Sequence, residues 1–78
     1  MIEKKNMLII TFRTTTEAMK MERSCKENAA PGRLIPLPKS ISAGCGMAWC
    51  VLPEYENVIM QVIKENGICP QEVEICLI

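Results

Sequence analysis

Five cysteines stand at positions 25, 45, 50, 69 and 76 of a 78-residue chain that contains no histidine and no aspartate. A thiol is therefore the strongest nucleophile available. A Ser-His-Asp triad, a Cys-His dyad, imidazole-bound zinc and a paired-aspartate acid/base site are all excluded within the chain. Cys45 has the most permissive surroundings for chemistry. It lies between Gly44 and Gly46 in Ser42-Ala-Gly-Cys-Gly46, where the missing side chains leave sulfur open to approach and let backbone N–H groups turn toward an anion. Cys69, directly before Pro70, is the candidate second, resolving thiol, against a plain turn residue before an edge strand. There is no C-x-x-C pair, and Cys45 and Cys50 point to opposite faces if a strand starts after the loop, so neither a metal site nor a cofactor is expected.

The elements that must position these thiols follow from periodicity. Met7-Leu-Ile-Ile-Thr-Phe12 is an apolar, β-branched run of strand length and reads as a central strand, with residues 1–6 as a loose N-terminus. Thr14 and Glu17 form a capping box that starts a helix, whose apolar stripe is Ala18, Met21, Cys25 and Ala29, and Pro31-Gly32 stops it. Arg33-Leu-Ile-Pro-Leu-Pro38 is a short strand that its prolines confine to a sheet edge. After the loop, Met47, Trp49 and Val51 share one face of a third strand, with Ala48 and Cys50 on the other. Pro53 opens a second helix with the stripe Tyr55, Val58, Ile59, Val62 and Ile63, closed by Asn66-Gly67. In the last strand Val73, Ile75 and Leu77 point inward, and Glu72, Glu74 and Cys76 point outward.

The order strand, helix, strand, strand, helix, strand predicts one α+β domain over residues 1–78. Its compact solution is the ferredoxin-like βαββαβ split, an antiparallel sheet in spatial order 4-1-3-2 with both helices on one face. The face without helices would leave either Met7 and Ile9 or Leu8 and Ile10 uncovered, a candidate self-association surface. This topology collects the end of strand 1, the start of helix 1, the Cys45 loop and the turn before strand 4 at one end. Cys45 and Cys69 lie there. Cys25 reads as core, and Cys50 and Cys76 as sheet filler at the opposite end. The positive end of helix 1, together with Arg13 and Lys39, would favour a Cys45 thiolate without any general base.

Nine Lys+Arg balance nine Asp+Glu, and with no basic stripe no nucleic-acid partner is expected. No run approaches a membrane span, the opening residues do not read as a secretion signal, and an odd cysteine count does not suit a disulfide framework; a reducing, cytoplasmic setting is expected.

The Ile10-Thr-Phe12 strand end, the threonine-rich helix start, Arg33 to Pro38 and Ile41-Ser-Ala-Gly-Cys-Gly-Met-Ala48 together resemble the small bacterial selenium/sulfur carrier protein-like domains. The similarity runs from about Met7 to Leu77 and is most specific from Ser42 to Ala48. It departs at Gly44, where a polar or serine-like residue would be expected. The resemblance implies a carrier cysteine at Cys45 and assigns nothing to Cys25, Cys50, Cys69 or Cys76. Its consequence is a thiolate that takes sulfur or selenium from a cysteine desulfurase-type donor and passes it to an acceptor protein. The chain then acts as a carrier rather than a stand-alone enzyme. Two rivals remain: a non-catalytic interaction or ligand-sensing module that forms a homodimer through its open sheet face, and a redox switch pairing Cys45 with Cys69.

Overall fold

The computed structural model describes residues 4–37 and 45–78. The chain runs β1 (Asn6–Thr11), α1 (Thr15–Glu27), β2 (Arg33–Pro36), β3 (Met47–Val51), a 3-10 turn (Pro53–Tyr55), α2 (Glu56–Glu65) and β4 (Glu72–Leu77). The four strands form one sheet in the order β2-β3-β1-β4, and every neighbouring pair is antiparallel. Read from the other edge, this is 4-1-3-2. The apolar first strand is central and the proline-bearing β2 is at an edge, as their composition requires. Residues 5 and 6, expected to be loose, are in the sheet: Asn6 starts β1, and Lys5 and Ile78 exchange hydrogen bonds of 2.8 and 3.0 Å. Among the described residues no helix is long and apolar enough to cross a membrane.

Local chemistry explains the helix ends. Thr14 Oγ1 accepts from the Glu17 N–H at 3.2 Å, which satisfies one of the open donors of the first turn. At the other end Ala30 N–H donates to Cys25 C=O and Ala29 N–H to Lys26 C=O. This six-residue closure needs a left-handed residue at its centre, and Ala29 supplies it at φ +53°. Ala29 therefore lies beyond α1 and is exposed, and the buried residues of the helix are Ala18, Met21, Cys25 and, beyond the expected stripe, Ser24. Helix α2 closes the same way, with Gly67 at φ +62° and Ile68 N–H on Ile63 C=O.

The sheet separates two apolar layers. On the helix side Leu8, Ile10, Phe12, Trp49 and Val51 pack with Ala18, Met21, Cys25, Ile59, Val62, Ile63 and Ile68. On the other side Ile9, Ala48 and Cys50 pack with Met7, Ile35, Leu37, Cys76 and Ile78. The expectation that this second face is open fails at its centre, since Ile9 is fully buried. The α2 stripe is also narrower than expected: Ile59, Val62 and Ile63 are buried, whereas Tyr55 and Val58 are exposed. The pleat of β4 is as expected, with Val73, Ile75 and Leu77 on the helix side. They remain exposed there because β4 is an edge strand.

Candidate functional site

The end of β1 organises two thiol-bearing segments through adjacent carbonyls. Phe12 C=O accepts the Cys45 N–H at 3.1 Å, and Thr11 C=O accepts the Gln71 N–H at 2.7 Å. The first bond fixes Cys45 where the chain enters β3. The second fixes the turn that carries Cys69. Arg13, the next residue after Phe12, is exposed at the same end.

Cys45 is half-buried, and its side chain packs against the helix-side core, with Sγ 3.8 Å from Met47 C=O as a weak thiol donor contact. Gly46 follows at φ +84°, and among the described residues a Cβ built on it would meet nothing within 4 Å. Glycine is favoured there by backbone conformation, and it leaves no side chain directly beside the thiol residue. Gly46 C=O then accepts from Leu37 N–H at 2.8 Å, tying the turn to the end of β2. Gly44 and Lys39 lie outside the described residues.

Cys69 is exposed, in a turn that α1 holds by two bonds. Its N–H donates to Glu17 Oε2 at 3.2 Å, and Lys20 Nζ donates to Gly67 C=O at 3.3 Å. Glu17 thus supplies only half of the expected capping box. Its N–H is capped by Thr14, but its carboxylate reaches across the fold to Cys69 instead of back to the Thr14 N–H. A carboxylate in the first turn also offsets part of the positive end of α1. By sequence Glu17 is a helix-start residue and Lys20 lies on the polar face of the helix; that both hold the Cys69 turn is decided by tertiary contacts no local pattern carries.

The other thiols stand apart. Cys25 is buried in α1, and burial pushes its pKa from the ordinary 9.0 up to about 11. Cys50 is also raised by burial, with the Arg33 guanidinium opposing the shift. Cys50 lines a hollow of about 330 Å³ with Met7, Arg33 and Tyr55, and Cys25 lines one of about 310 Å³ with Lys26, Arg33 and Trp49. Cys45 lines neither. Among the described residues no three Cys or Glu side chains gather as a metal-binding group.

The Cys25 shift has a measurable sign. The unfolded thiol ionises near 9 and the folded one near 11, so its contribution is fully present below pH 9 and is lost as pH rises toward 11. Unfolding free energy, followed by urea titration, should fall by about 1–2 kcal/mol more across that window in the native protein than in Cys25→Ala. Equal slopes would show that Cys25 is not held neutral by the fold.

Residues 7–74 match the model of the family described as Putative Se/S carrier protein-like. The chain belongs to this family. The matched span of this Se/S carrier-like domain includes Cys25, Cys45, Cys50 and Cys69 and ends before Cys76. No curated protein and no solved structure matches it.

Proposed function

We propose that this domain carries one sulfur or selenium atom at a time on Cys45, between a cysteine desulfurase-type donor and an acceptor protein in the cytoplasm. The Cys45 thiolate attacks the outer sulfur of a donor persulfide. The donor S–S bond breaks, the donor leaves as a thiolate, and Cys45 becomes the persulfide. A nucleophile of the acceptor then attacks that outer sulfur and Cys45 returns as thiolate, so the atom moves with no external oxidant or reductant. Selenium follows the same bookkeeping.

The observation that supports this most is the combination of family membership with the placing of Cys45: a half-buried thiol anchored by its own N–H, next to a left-handed glycine that leaves no side chain beside it. In this reading Arg13, Lys39 and the N–H groups around Gly44 and Gly46 hold the charge on the loaded atom. The scaffold is one we read as ferredoxin-like.

The test is to incubate the protein with a desulfurase and cysteine and then weigh it intact. The expected result is a gain of one sulfur atom, reversed by a thiol reductant, and abolished in Cys45→Ser while Cys69→Ser still loads. Failure of several donors to give a Cys45-dependent gain would sink the proposal. The redox-switch reading has one observation in its favour, the anchoring of the Cys45 and Cys69 segments on adjacent β1 carbonyls. Peptide mapping of the same samples distinguishes it, since it requires a Cys45–Cys69 disulfide. An interaction module using the sheet face without helices would present the half-buried Met7, Ile35, Leu37 and Ile78 around a buried Ile9, and light scattering on Cys45→Ser separates it from the carrier, since the module does not need that thiol.

A further inference from the structure

The edge formed by β4 combines an open row of hydrogen-bonding groups with an apolar surface in a matching phase. Among the described residues β4 pairs with β1 on one side and with nothing on the other. Lys5 and Ile78 exchange both backbone bonds, and antiparallel ladders alternate between bonded and non-bonded pairs. The next bonded pairs are therefore Met7 with Cys76 and Ile9 with Glu74, following the observed register. The N–H and C=O groups of Val73, Ile75 and Leu77 consequently point away from the sheet. Their side chains stand on the helix side and are 37, 51 and 59% exposed. A long edge with exposed apolar side chains is a template for another strand, and soluble proteins usually blunt such edges with bulges, lysine or proline. From Glu72 to Leu77 this one has no proline and no lysine.

We infer that two copies of this chain pair antiparallel through β4, about a twofold axis at Ile75, joining their sheets into one continuous sheet. A strand added to this edge must present outward backbone groups and apolar side chains at alternate positions on the helix side. β4 itself has that pattern. With the axis at Ile75, Ile75 of one copy meets Ile75 of the other and Val73 meets Leu77, so all three outward-bonding residues of each copy find partners. On the opposite face Glu74 comes beside Cys76 and Glu72 beside Ile78, and no glutamate directly faces a glutamate. Moving the axis one residue, to Glu74, would set the two Glu74 carboxylates opposite each other, which is unfavourable. A formal net charge of zero adds no long-range repulsion between copies. The pairing is separate from the Cys45 proposal and leaves that residue at the end of the sheet.

Sedimentation of the full chain should give twice the 8.8 kDa chain mass. Ile75→Lys should raise the dissociation constant by about a hundredfold, from the loss of a central apolar pair and the facing of two like charges, and Ile75→Thr by less. Cys45→Ser should sediment as the native protein does. Amide exchange checks the register without any substitution: the Ile75 and Leu77 amides should be protected in proportion to dimer, whereas those of Glu74 and Cys76 are protected at every concentration by β1. A species of 8.8 kDa at millimolar concentration would overturn the inference and leave the edge to a strand from another protein. A dimer that survives Ile75→Lys, or an Ile75 amide that exchanges freely in the dimer, would overturn it equally.

Discussion

Gly32→Ala should lower the unfolding free energy by about 3 kcal/mol or more, the sum of a strained backbone and an overfilled contact. Gly32 sits at φ +116°, outside the range that L-residues adopt without strain. A Cβ built there would run into Trp49 Nε1 and would lie 2.7 Å from Trp49 Cε2 and 3.0 Å from Cys50 C=O. Neither neighbour yields easily: the carbonyl belongs to β3, and the indole is a buried part of the helix-side core. A domain of this length has about 4–12 kcal/mol in total, so the substitution removes a large share of it. The measurement is urea unfolding beside Gly46→Ala, which carries a positive φ of +84° but, among the described residues, open space around the new methyl and should lose only about 1–2 kcal/mol. Equal losses in the two variants would mean that the close approach to Trp49 contributes nothing.

Gly32 also marks the boundary of what the sequence discloses. Read along the chain, Pro31-Gly32 is a helix stop, and it is one. That the glycine must also admit an indole from 17 positions further on depends on the β2–β3 pairing, which no local pattern contains. The same distinction holds elsewhere. The order of elements, the Thr14 cap, the Gly67 closure and the faces of β3 were legible because each depends on neighbours within a turn or a pleat. Periodicity assigned Val73, Ile75 and Leu77 to the correct face of β4 but could not tell that the helices stop short of covering that edge. Glu17 was legible as a helix-start residue, yet the destination of its carboxylate was decided by a donor 52 residues away. For the candidate site, glycines on both sides of Cys45 drew notice to that thiol. The anchoring of its N–H on Phe12 and the packing of its side chain against the helix-side core are tertiary facts.

Those two facts connect stability to the site and give the second large effect. Phe12 is fully buried and stands where β1 ends, so its ring fills the core while its carbonyl holds Cys45. Phe12→Ala should cost about 3–5 kcal/mol, from lost transfer energy and the cavity left behind, which approaches the whole stability of so small a domain. Phe12→Leu should cost less than about 1.5 kcal/mol, because most of the volume is kept. The cavity in the alanine variant opens beneath the segment that carries Cys45, so alkylation of that thiol in the folded protein should quicken several-fold, and its amide should exchange faster. Phe12→Leu should leave both near the native rates. The comparison needs conditions in which each variant is folded, checked by protection of the Ile9 amide at the centre of the sheet. An unchanged Cys45 alkylation rate in folded Phe12→Ala would mean that the thiol is held in place by the backbone bond to residue 12 and not by the ring, since the alanine variant retains that carbonyl.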